Sequence, residues 1–107
     1  MEKYEVRITE EAISDLSKIY QYIAYTLKSP ENALRQYRNI SKEILSLETL
    51  PERHPLFVSE PERTRGIRTM AVGHYLVFYI VDPGIVTVTD ILYGASNVQE
   101  RLKTRHR

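Results

Sequence analysis

Arginines and tyrosines are the side chains here best suited to chemistry. Arg53, Arg63, Arg65, Arg68, Tyr75, Tyr79, Tyr93 and Arg101 fall in the second half of the chain. A guanidinium can hold a phosphate and offset the extra negative charge of a phosphoryl transition state. A tyrosine can stack on an unpaired base, and its hydroxyl can carry a proton. RNA cleavage by its own 2′-hydroxyl needs only those roles and no metal. The set permits this chemistry without demanding it. Taken singly, each arginine reads first as a surface or salt-bridged residue, and each tyrosine as an amphipathic core or rim residue.

Other chemistries find less support. His54, His74 and His106 are scattered, and no pair has metal-ligand spacing. The four glycines build no phosphate loop, and no serine sits in a nucleophile elbow. Glu60 and Glu62 lie two apart in a loop and read as solvated. There is no cysteine, which removes disulfides, thiolate metal sites and cysteine nucleophiles. No metal and no cofactor are expected. Met1 to Glu5 lacks the apolar core of a signal peptide, and no apolar run reaches spanning length. A cytoplasmic protein with no membrane association is the expectation.

The elements that must position these residues follow from hydropathy. At 107 residues the chain is one domain, residues 1–107. Tyr4, Val6 and Ile8 alternate with polar residues, as in a half-buried strand. Thr9 is placed to cap a helix opened by Glu10 and Glu11. Its apolar face is predicted to run through Ala12, Ile13, Leu16, Ile19, Tyr20, Ile23, Ala24 and Leu27, leaving Tyr22 and Tyr25 off the stripe. Ser29, Pro30 and Glu31 start a second helix, with Ala33, Tyr37, Ile40, Ile44 and Leu47 inward and Leu50-Pro51 at its end. The short connection makes the two an antiparallel hairpin. A proline-rich loop over 51–64 is pinned by Leu56, Phe57 and Val58. Strands are predicted at 66–72, 75–81 and 85–93, turning at Gly73-His74 and Asp82-Pro83-Gly84. A short helix is expected over 96–103.

This order, β-α-α-β-β-β, predicts an α+β fold in which an antiparallel meander is covered on one face by the helical hairpin, with the other face concave and open. Formal charge is +1 overall, but residues 99–107 carry +3 and the rest −2, so that stretch reads as a separate basic tail. Alternation puts Val86, Val88, Asp90 and Leu92 on one face of the last strand. A carboxylate in that company needs a cation, and Arg68 is the expected partner.

In order and spacing the chain resembles the RelE/ParE superfamily of bacterial toxins. The segments that carry the likeness are Ile-Thr-Glu-Glu-Ala-Ile-Ser-Asp-Leu (8–16), Ile-Tyr-Gln-Tyr-Ile-Ala (19–24), Leu-Pro-Glu-Arg-His-Pro (50–55), Gly-Ile-Arg-Thr-Met-Ala-Val-Gly-His-Tyr-Leu-Val-Phe-Tyr (66–79) and Ile-Leu-Tyr-Gly (91–94). The resemblance implies the toxin of a type II toxin–antitoxin pair, neutralised by a cognate antitoxin that wraps it and assembles with it into a heterotetramer. RelE-like members cleave mRNA on the ribosome without a metal, and ParE-like members poison DNA gyrase.

Carried over by residue, the resemblance implies Arg65, Arg68, Tyr75 and Tyr93 as the catalytic candidates. Arg53, His54, Arg63, His74, Asn97 and Arg101 would bind RNA or another target. Departures are equally specific. Tyr75 and Asp90 stand where cleaving relatives have arginines, and Ala95-Ser96-Asn97 replaces a basic stretch. Tyr93 stands where some relatives have histidine. One missing transition-state donor costs about 10²- to 10³-fold in rate. Three readings follow: an mRNA endoribonuclease, a gyrase inhibitor that cleaves nothing, and a weakened toxin that only binds antitoxin.

Overall fold

The computed structural model describes residues 2–105. Strand β1 (Glu5–Ile8) leads into helix α1 (Glu10–Gln21) and a π-helical turn (Tyr22–Thr26). Helix α2 (Pro30–Leu45) follows, then β2 (Ile67–Val72), β3 (Tyr75–Asp82), β4 (Ile85–Tyr93) and α3 (Val98–Arg105). The sheet order is β1-β4-β3-β2. The meander β2-β3-β4 is antiparallel as expected, and β1 adds to β4 in parallel, with the helical hairpin as crossover.

Local chemistry accounts for the helix ends. The Thr9 hydroxyl accepts from the Ala12 amide at 3.2 Å and caps α1. Ser29 makes no side-chain cap, so α2 starts on Pro30 alone. The second helix also stops earlier than Leu50-Pro51 suggests: it ends at Leu45, and a 3₁₀ turn (Ser46–Glu48) leads to Leu50 in the left-handed region at φ 47°. After Gln21 the π turn adds a residue to the helical period, so Leu27 ends exposed rather than on the core stripe. Ile13 and Tyr37 are exposed as well; Tyr37 packs edge-on against Tyr20 at 6.2 Å.

Ala12, Leu16, Ile40, Ile44 and Leu47 from the helical side meet Met70, Val72, Val77, Tyr79, Val86, Val88 and Ile91 of the sheet. The opposite face of the sheet is not open. Leu102 of α3 is fully buried there among Ile67, Phe78 and Leu92, with Val98 and Phe57 alongside. Phe57 and Phe78 meet at 5.7 Å, so Phe57 pins its loop as expected, while Val58 is exposed.

A bulge corrects the predicted face of β4. Phe78 opposes Asp90 but Tyr79 opposes Val88, leaving Thr89 as the extra residue. Asp90 and Leu92 therefore turn toward Phe78, while Ile91 joins Val86 and Val88 against the helices. Glu62 is a second correction. The segment winds back on itself, with the Ile67 amide donating to the Glu62 carbonyl at 3.1 Å. That turn carries the Glu62 side chain inward to full burial, and neither carboxylate oxygen has a hydrogen bond.

Candidate functional site

The candidate residues divide between two ends of the sheet. At one end, Arg68 and Tyr79 fasten the segment 51–54, with His54, to β2 and β3, and Arg53 ties it back to residues 46–50. The Arg53 guanidinium donates to the carbonyls of Thr49 (2.7 Å) and Leu50 (3.1 Å) and to the Ser46 hydroxyl (2.8 Å). These bonds tie the guanidinium to the chain that leaves the second helix. Arg68 donates to the His54 carbonyl at 2.7 Å and pairs with Glu52 at 3.6 Å. The Tyr79 hydroxyl donates to the Pro51 carbonyl at 2.6 Å. Burial pushes Tyr79 up to about 12, against the pull of Arg68 and Arg53. His54 packs edge-on to Tyr79 at 6.5 Å. Its imidazole is held below 6.5 by burial and then by Arg53, against the carboxylate of Glu43. Arg63 is exposed and reaches the Phe57 carbonyl at 3.4 Å, and Arg65 is exposed on the turn before β2.

The other end holds a cleft of about 620 Å³ between α1, the π turn and the adjoining ends of β3 and β4. His74, Tyr75, Tyr93 and Arg101 line it. Asn97, the residue before α3, is exposed and is not among the lining residues. Tyr75 and Tyr93 oppose each other across β3 and β4, with ring centroids 5.8 Å apart. Gly94 makes this junction possible. Its amide donates to the His74 carbonyl at 2.8 Å, and a Cβ there would sit 3.1 Å from that oxygen. Burial raises the Tyr75 pKa above 10, helped by the phenols of Tyr93 and Tyr22. At neutral pH Tyr75 is thus a hydrogen-bond donor and a stacking surface, and a poor proton acceptor.

Sequence reasoning missed several lining residues. Lys18, Tyr22, Asn32 and Gln36 add a cation, a third phenol and two amides over an apolar floor of Ile19 and Ile23. The signal for Tyr22 was its place off the α1 stripe; in the structure it opens the π turn. Asp15 also lines the cleft, and it is buried at 5% exposure. One aspartate inside an apolar stripe was readable as a residue with a fixed partner.

That partner corrects another expectation. Asp90 pairs with Arg105, not Arg68, at 2.9 Å. Arg105 also makes a two-pronged pair with Asp15, both contacts 2.6 Å. Asp15 accepts the Ile91 amide at 2.9 Å, and Asp90 accepts the Thr89 hydroxyl at 2.7 Å. The Asp15 hydrogen bonds, outweighing burial, raise the Arg105 pKa further above its usual value. Arg68 could not serve, because β2 holds it beside Tyr79 under the segment 51–54. The tail is accordingly folded through Arg105; His106 and Arg107 lie outside the described residues. Among the described residues no cluster of three or more His, Asp or Glu side chains could hold a metal ion. No helix among them is long and apolar enough to cross a membrane.

Comparison with solved structures finds the same architecture. The chromosomal ParDE toxin–antitoxin system of P. aeruginosa superposes with a TM-score of 0.71 at 22% identity, covering 85% of this chain and 96% of that one. A chain of the RelBE2 complex of Mycobacterium tuberculosis gives 0.61 at 20% identity, covering 87% and 93%. A doubly substituted E. coli RelE toxin in the free state gives 0.63 at 15% identity, covering 98% and 99%. At these identities the likeness shows the RelE-like fold. No curated protein matches the chain. The family model for the ParE toxin of type II toxin–antitoxin systems, parDE, matches residues 6–98. The chain therefore belongs to the ParE toxin family of type II toxin–antitoxin systems, within the RelE/ParE superfamily.

Proposed function

We propose that this toxin acts by binding and inhibiting DNA gyrase, without cleaving nucleic acid. One observation carries the reading: Arg53 and Arg68 are spent on backbone carbonyls, far from the tyrosine pair. Arg68 opposes Tyr79, whereas Tyr75 opposes Val72, four residues further along β2. At about 3.3 Å per residue this is about 13 Å along the strand. A phosphoryl group held at the tyrosine pair would lie beyond the reach of Arg53 and Arg68. Lys18 and Arg101 with three phenols instead form a recognition surface: cations at the rim, aromatic area within. The family match and the ParDE likeness agree with this direction. The cognate antitoxin is the proposed second partner, as the neighbours were solved as toxin–antitoxin complexes. The target would place the protein in the cytoplasm.

Ribosome-dependent mRNA cleavage is the second reading. What favours it is the meeting of His74, Tyr75, Tyr93 and Arg101 in one cleft, a stacking pair beside a proton carrier and a cation. Pulse-labelling after induction without antitoxin separates the two. Gyrase inhibition predicts that thymidine incorporation falls first; an earlier fall in amino-acid incorporation overturns it in favour of mRNA cleavage.

A further inference from the structure

Among the described residues helix α3 spans Val98–Arg105, and Leu102 is its one buried residue there. Eight residues do not hold a helix in water without tertiary contacts. Two anchors supply them. Leu102 fills the apolar face of the sheet, which fixes where α3 lies. Arg105 reaches Asp15 on α1 and Asp90 on β4, which fixes how α3 is rotated. Arg101 stands four residues before Arg105, on the same side of the helix. It is this Arg101 that lines the cleft with Lys18. Asp15, a wall residue of the same cleft, is covered by the Arg105 fork.

We propose that Arg105 is a positioning residue: by clamping α3 to Asp15 and Asp90 it turns Arg101 into the cleft and masks the carboxylate of Asp15, so that the cleft presents a cationic wall to an anionic partner surface. The inference rests on the reading of the cleft as the target-binding surface. Without Arg105 the wall loses the fixed position of one cation and gains an unmasked anion. Complementarity to an acidic or phosphate-bearing surface then drops on both counts.

The test uses Arg101→Gln, Arg105→Gln, the double variant and Arg105→Lys in the full chain. Each is checked for folding by circular dichroism. Two readouts follow, amide hydrogen exchange along α3 and growth arrest on induction, the latter independent of which target is hit. Arg105→Gln should release α3 amides to fast exchange while β3 stays protected. Arg101→Gln should lose about tenfold in potency, the worth of one charge-assisted contact, and Arg105→Gln at least as much, since it also unmasks Asp15. The double variant should be no weaker than Arg105→Gln alone, because that variant already loses the positioned Arg101. Arg105→Lys keeps the charge and loses the fork, so it should give intermediate exchange and potency in a protein that still folds. Unchanged α3 exchange in Arg105→Gln and Arg105→Lys, or potency losses that multiply in the double variant, overturns the proposal. If Arg101→Gln retains full potency while α3 exchange still responds to Arg105, the cleft is not the target surface. That result overturns the reading beneath, and with it the role assigned to Arg105.

Discussion

At the scale of single residues, the polar groups inside this toxin are decided by whether a partner is built for them. Tyr79 has one. Its hydroxyl meets the Pro51 carbonyl at 2.6 Å within the core. Tyr79→Phe keeps the ring and orphans that carbonyl, so denaturant unfolding should show a loss of about 1–2 kcal/mol. The same burial sets a pH dependence. The folded-state pKa, about 12, lies above the ordinary 10.0 of a tyrosine in the unfolded chain. Stability from this group is complete below pH 10 and is lost as pH rises through 12. An absorbance titration of phenolate should therefore find Tyr79 titrating only on alkaline unfolding, a step absent in Tyr79→Phe. Glu62 lacks a partner: it is fully buried, and no hydrogen bond reaches either oxygen. Glu62→Leu removes both unpartnered oxygens from that site and should raise stability by about 1 kcal/mol or more, read from the shift in denaturant midpoint. A lower midpoint would show that the carboxylate is satisfied in solution.

At the scale of elements, strands and helices were legible because hydropathy period alone sets them. β2, β3 and β4 lie within a residue of their predicted limits, and the meander follows from their short turns. What failed were single-residue changes of phase. Thr89 shifts β4 by one position, which sends Asp90 to the other face of the sheet. The π turn at Tyr22–Thr26 does the same for the end of the first helix. Neither leaves a trace in a regular 2.0 or 3.6 period, because each is an insertion chosen by packing on both sides. The C-terminal stretch was misread for another reason. Its charges look solvated by composition, yet Arg105 serves two carboxylates that lie 90 and 15 residues earlier. Deleting 103–107 should accordingly cost about 3 kcal/mol or more by denaturant unfolding, because two buried carboxylates lose their guanidinium. A free tail would leave the midpoint where it was.

At the scale of the whole molecule, the fold distributes the candidate residues by the strand they ride on. Of the residues singled out from sequence, Arg53, His54 and Arg68 became fasteners of one loop, whereas His74, Tyr75, Tyr93 and Arg101 meet in a cleft. Residue type could not separate the two groups; register could, since Tyr75 opens β3 and Tyr79 lies four residues further along it. The departures from the cleaving pattern at Tyr75 and Asp90 also acquire structural sense. Tyr75 packs against Tyr93 with the rings tilted by 60°, and Asp90 ties α3 to the sheet. The separation of Arg53 and Arg68 from the Tyr75–Tyr93 pair is what makes a binding toxin the better fit. The most direct measurement is the supercoiling activity of purified DNA gyrase titrated with the purified toxin. The account predicts inhibition that antitoxin reverses and that Arg101→Gln weakens about tenfold. Full supercoiling in the presence of excess toxin, with new mRNA 5′ ends in induced cells, would contradict it.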